Sequence, residues 1–77
     1  MEEQFKELVA QYCDVKAEDM TEDMRFREDL KFSSLDFMSF LGELEDTFDI
    51  EVEEEKVLEI HTLGEALEYL KKEVAAA

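Results

Sequence analysis

Asp29-Leu30-Lys31-Phe32-Ser33-Ser34-Leu35-Asp36-Phe37-Met38-Ser39-Phe40-Leu41-Gly42-Glu43-Leu44-Glu45-Asp46-Thr47-Phe48 is the stretch on which the reading of this chain turns. After the paired serines, Phe37, Phe40, Leu41, Leu44 and Phe48 recur at three- and four-residue intervals, the spacing of one helix face. Asp36, Glu43, Glu45 and Asp46 project elsewhere, and Leu35 and Met38 sit at the edge of the apolar stripe. Ser33 has the type and place of an N-cap, with Asp36 three residues on as a shorter form of the capping-box acid. One serine is enough for that task. Ser34 then takes the first helical position with its hydroxyl toward solvent. Free backbone N–H groups and the helix dipole would stabilise a phosphate ester there.

Working outward, Phe5, Leu8, Val9, Tyr12 and Cys13 form a second helical stripe, and the spacing predicts a helix over about 2–13. Residues 14–33 keep no period, yet scatter Val15, Met20, Met24, Phe26 and Leu30 among charges. A connection of about twenty residues is long for a small domain. It reads as a loop pinned to the core, with a helical turn near Thr21–Met24. Beyond the central helix (34–48), Val52, Val57 and Ile60 suit a short helix over 53–60. Thr62 with Glu65 reads as a capping box, and Leu63, Ala66, Leu67, Leu70 and Val74 continue a helix over 62–74. Ala75-Ala76-Ala77 is expected to fray. The fold class is therefore all-α: a single domain over 1–77, a small four-helix bundle with a long first loop and a short third helix.

Bulk composition narrows the function. Seventy-seven residues bury a modest core and leave little room for a walled active site, which weighs against an enzyme. A net charge of −15 repels nucleic acid and anionic membranes and favours partners with basic patches. With 45% hydrophobic residues and six Phe in regular spacing, the charge does not signal disorder. A lone cysteine excludes an internal disulfide framework. No apolar run approaches the about 18 residues of a membrane span. The acidic start is unlike a signal peptide, so a cytoplasmic monomer is expected.

Candidate chemistry is sparse. His61, the only histidine, precedes a helix cap, and Cys13 belongs to an apolar stripe; nothing in the sequence brings them together as base and nucleophile. The acidic loop from Asp19 places Asp19, Thr21 and Asp23 at calcium-ligand spacing, but Met24 stands where an EF-hand needs Gly and Leu30 where it needs Glu. No catalytic residue and no metal site are assigned.

At Phe26-Arg27-Glu28-Asp29-Leu30, Ser34-Leu35-Asp36, Leu44-Glu45-Asp46-Thr47-Phe48-Asp49-Ile50-Glu51-Val52 and Thr62-Leu63-Gly64-Glu65-Ala66-Leu67-Glu68-Tyr69-Leu70 the chain resembles the acyl carrier proteins, the phosphopantetheine-binding carriers. The resemblance spans nearly the whole chain. It implies that Ser34 carries a phosphopantetheine arm derived from coenzyme A, whose thiol holds acyl groups as thioesters for fatty-acid or polyketide enzymes. It implies as partners a phosphopantetheinyl transferase and acyl-processing enzymes with basic docking patches. These would meet Leu35, Asp36, Met38, Glu43, Glu45 and Asp46. Phe37, Leu41 and Leu44 would line an acyl cavity. Three departures stand out: Ser33 for the family's Asp, Lys31 for its Gly, and Phe37 for a smaller residue facing that cavity. The alternatives are an unmodified interaction module on the same fold, an aminoacyl carrier in a specialised pathway and, more remotely, an acidic metal-buffering domain.

Overall fold

The computed structural model describes residues 1–76 and has four α-helices: α1 (Glu2–Ala10), α2 (Ser34–Phe48), α3 (Glu54–Val57) and α4 (Leu63–Ala76). No strand forms among the described residues, and the molecule measures 31 × 23 × 20 Å. The architecture is the small helical bundle expected, and α1, α2 and α4 turn their stripes inward. Phe5, Leu8 and Val9 of α1 are buried, as are Phe40, Leu41 and Leu44 of α2 and Leu63, Ala66, Leu67 and Leu70 of α4. Phe40, wholly buried, is the hub: Phe5, Tyr12, Phe26, Phe32 and Phe37 all approach it, with ring centroids 5.7–6.5 Å apart. Such ring pairs add stabilisation beyond the area they bury.

The first connection, 11–33, is itself part of the core. Met20, Phe26, Leu30 and Phe32 are buried. Its backbone is tied to the entry of α4: Phe26 N–H donates to His61 O at 3.1 Å, Leu63 N–H to Met24 O at 2.9 Å, and Gly64 N–H to Glu22 O at 2.8 Å. A Cβ at Gly64 would lie 3.1 Å from both Glu22 Cβ and Glu22 O, so the loop packs this closely only because residue 64 lacks one. A turn does form at Thr21–Met24, where Met24 N–H donates to Thr21 O at 3.2 Å, and a 3₁₀ turn at Ala17–Asp19 precedes it. A twenty-residue connection is accounted for by packing.

The helix limits differ from the sequence reading in three of the helices. Helix α1 stops at Ala10, not Cys13, because Gln11 and Tyr12 donate to Leu8 O and Val9 O three residues back, which tightens the last turn. Tyr12 and Cys13 still pack on the core, so the stripe outlasts the helix. Helix α3 is a single turn, 54–57 in place of 53–60. Beyond it Glu59 and Ile60 also donate three residues back, and Ile60 is buried outside any helix as the chain descends to pair with Phe26. One turn is too short to be stable alone. Glu53 N–H, donating to Tyr69 Oη at 3.0 Å, fastens its start to α4. Helix α4 begins at Leu63 and includes Ala75 and Ala76, where fraying was expected; Ala77 lies outside the described residues. No helix among the described residues is long and apolar enough to cross a membrane.

Candidate attachment site at the start of the second helix

Ser33 sits in extended backbone and caps α2 in both directions. Its Oγ accepts from Asp36 N–H at 3.1 Å, and Asp36 Oδ2 accepts from Ser33 N–H at 3.1 Å. The two adjacent serines are thereby separated in role. Ser34 is the first helical residue, exposed, and its Oγ accepts from Arg27 Nη2 at 2.9 Å. The N–H groups of Ser34 and Leu35 precede any intrahelical acceptor and face outward from the helix start.

The loop before the helix sets this geometry. Phe26 and Phe32 are buried with ring centroids 5.3 Å apart, and Phe32 N–H donates to Phe26 O at 2.8 Å, closing a short turn. Within that turn Lys31 has φ 60°, in the left-handed region that favours glycine. The lysine thus holds a backbone position that glycine takes at lower cost. Its left-handed conformation was not legible from the sequence. Arg27 was missed as a site residue, since its contact with Ser34 spans seven positions of irregular loop.

The expected docking residues divide. Leu35 and Met38 are 78% and 60% exposed, large apolar side chains turned to solvent one helical turn apart. Glu43 and Asp46 are exposed. Asp36 and Glu45 are half-buried and already engaged, Asp36 in the cap and Glu45 through Oε2, which accepts from Val52 N–H at 3.1 Å. The three residues expected to share one acyl cavity do not share one. Phe37 packs on Phe26, centroids 5.1 Å apart, and lines a cavity of about 140 Å³ with Arg27, Phe32, Ile60 and His61. Leu41 lines a separate groove of about 420 Å³ between α2 and α3, together with Met38, Gly42, Val52, Val57 and Leu58. Leu44 is buried in the core and lines neither.

Cys13 and His61 line different cavities. The Cys13 thiol donates to Val9 O at 3.5 Å, as a small core residue does. Perturbed ionisation lies away from Ser34. The Tyr12 phenol is pushed up by burial first and by the charge of Glu43 second. The Glu65 carboxyl is held below its ordinary value chiefly by the His61 N–H that donates to it, with Thr62 adding to the effect. The arrangement offers an accessible hydroxyl on a rigid helix start, with one guanidinium against it.

The family model described as the phosphopantetheine attachment site matches residues 3–70. Among known proteins, the chain is similar to the acyl carrier protein of Lactobacillus johnsonii, 32% identical over 65 residues that cover 84% of this chain and 81% of that one. Among solved structures it is similar to the acyl carrier protein of Enterococcus faecalis, with a TM-score of 0.82 and 28% identity over 94% of this chain and 91% of that one. The acyl carrier protein of Thermotoga maritima matches in fold, with a TM-score of 0.81 and 23% identity over 99% of this chain and 94% of that one.

Proposed function

The chain belongs to the acyl carrier protein family, and on that premise we propose that Ser34 is the residue that bears its phosphopantetheine arm. It carries acyl intermediates and is not a catalyst, and phosphopantetheine is its cofactor. When bound, that group supplies a terminal thiol on which acyl cargo is held as a thioester. The residues at the start of α2 fit it. The observation that carries the assignment is the division of labour between the serines: Ser33 makes both capping bonds, so Ser34 Oγ is exposed and not needed by the helix. Outward-facing N–H groups of the first turn and the Arg27 guanidinium favour the negative charge that a phosphodiester brings. The replacement of Asp by Ser at position 33 keeps the cap and removes only one carboxylate from beside the site.

Incubation with coenzyme A and a phosphopantetheinyl transferase, followed by intact-mass measurement, tests the assignment. Wild type and Ser33→Ala should gain the arm, and Ser34→Ala should not. An arm that survives Ser34→Ala but is lost in Ser33→Ala overturns it. Wild-type protein that stays bare under conditions loading other carriers supports instead an unmodified interaction module.

The acyl-processing enzymes and the transferase, in this reading, bring basic patches of their own to the exposed acidic face of α2. Leu35 and Met38 supply apolar contact there, and Glu43 and Asp46 supply charge. Glu45 and Asp36 are poorer probes, because reversing either would also break an internal hydrogen bond. The groove between α2 and α3, walled by Leu41, Val52, Val57 and Leu58 and lined also by Glu45 and Glu54, offers apolar surface to an acyl group of the fatty-acid or polyketide kind. Phe37 packs on Phe26 and lines the smaller cavity, not this groove.

A further inference from the structure

Among the described residues Ser34 Oγ has one protein partner, the guanidinium of Arg27 at 2.9 Å. That pairing is unexpected on charge grounds. With 23 acidic side chains against 8 basic ones, a guanidinium here has many carboxylates to choose from. Two ion pairs form among the described residues, Lys6 with Glu2 and Arg25 with Glu28, and Arg27 is in neither. The acids adjacent to it in sequence are turned toward Arg25: Glu28 Oε1 accepts from Arg25 Nη1 at 3.3 Å, and Asp29 Oδ2 accepts from Arg25 N–H at 2.8 Å. Arg27 is thereby left facing a neutral hydroxyl, a weak partner that engages one of a guanidinium's five donors. The remaining donors form a planar fork whose geometry matches phosphate oxygens.

We propose that Arg27 is a positioning residue for the arm: its guanidinium clasps the phosphodiester on Ser34 and fixes the side of α2 from which the arm departs. This rests on Ser34 as the attachment residue. Attachment converts the hydroxyl that Arg27 already contacts into an anion at the same place. A weak hydrogen bond in the bare protein becomes a charge-assisted one in the loaded protein. Arg27 also forms part of the wall of the 140 Å³ cavity beside Phe37 and Ile60. A phosphate held there starts the arm on the loop side of α2, away from the exposed Leu35 and Met38. The docking face then stays open to a partner while the arm waits.

The test uses the full chain, loaded from coenzyme A and checked by intact mass, with nuclear magnetic resonance as the readout. Arginine side-chain signals are compared in bare and loaded wild type. The Arg27 guanidinium signals should shift, and their exchange with water should slow by roughly two- to fivefold, the upper range for an exposed ion pair. The slowing should fade near 1 M salt, where the screening length falls to about 3 Å. In loaded Arg27→Gln the phosphorus signal should move, and in Arg27→Lys it should return toward wild type, since charge is restored without the fork. Identical Arg27 signals in bare and loaded wild type overturn the proposal. So does a phosphorus signal indifferent to all the variants. The wild-type comparison needs no substitution, so it decides the matter even where a variant folds or loads poorly. Failure of the attachment assignment looks different: a wild type without the arm, or an arm that survives Ser34→Ala.

Discussion

Replacing each serine by alanine should separate capping from attachment on thermodynamic grounds alone. Ser33→Ala removes the acceptor for Asp36 N–H, and only the return bond from Ser33 N–H to Asp36 Oδ2 remains. Losing an N-cap side chain costs about 1 kcal/mol, within a range of about 0.5–2. Ser34→Ala removes one exposed hydrogen bond from Arg27, and alanine is a better helix former than serine, so its net effect should lie within about 0.5 kcal/mol of zero. At about 0.05–0.15 kcal/mol per residue, a 77-residue chain has roughly 4–12 kcal/mol in total, so the first loss is measurable. In thermal unfolding followed by circular dichroism, Ser33→Ala should lower Tm by about 4–8 °C and Ser34→Ala by at most half of that. Urea unfolding should show the same order with an unchanged m-value, because neither change alters the surface exposed. Ser33→Asp should retain the cap and match or exceed wild type, since aspartate caps equally well and its charge suits the helix dipole. If Ser34→Ala proves as costly as Ser33→Ala, Ser34 is a structural residue and the division of roles is wrong.

Three further outcomes follow from the same contacts. Lys31→Gly should stabilise the protein by about 0.5–1 kcal/mol, as relief of the left-handed strain outweighs the extra freedom of the unfolded glycine, whereas Lys31→Ala should gain nothing in the same thermal assay. Phe40→Ala should cost about 3–5 kcal/mol, enough to leave the domain barely folded, while Phe37→Ala at the half-buried edge of the cluster should cost clearly less; denaturant midpoints for the pair decide it. The Glu65 carboxyl is held below its ordinary 4.5, first by the His61 N–H and then by Thr62, so its contribution is present above the unfolded value and lost as pH falls through the folded one. Glu65→Gln should therefore be less stable than wild type at pH 7, with the gap closing as pH drops below about 4.5; a gap independent of pH would mean that the carboxylate's charge contributes nothing.

How much of this was legible in the sequence depends on whether a contact is local. The faces of α2 and α4 and both capping boxes were readable because their information lies within three or four residues: Ser33 to Asp36, Thr62 to Glu65, and Phe37 through Phe48. The ends of α1 and α3 were not, because Tyr12 and Ile60 keep their apolar character after the backbone has left the helix, and periodicity cannot see that change. The separation of Phe37, Leu41 and Leu44 was illegible for a related reason. Phe37, Leu41 and Leu44 all fall on the inner half of one helix, but which of them meets a cavity depends on what packs opposite. Phe26 meets Phe37, the α3 turn leaves a groove at Leu41, and Leu44 is closed over by the core.

Arg27 shows the same limit at the site itself. Its position in the sequence, beside Glu28 and Asp29, reads as one more member of a mixed charge run. Only the turn that sends those acids to Arg25, and the left-handed Lys31 that brings the chain round to Ser34, leave the guanidinium facing the hydroxyl. The two residues that make this loop unusual are thus coupled in effect. Lys31→Gly should keep the loop's path and the Arg27–Ser34 contact, because glycine adopts the same φ at lower cost. Lys31→Pro should abolish the contact, because a ring that fixes φ near −65° cannot make the turn. Measured through the Arg27 side-chain signals, a contact that persists in Lys31→Pro would show that Arg27 reaches Ser34 without the loop's help.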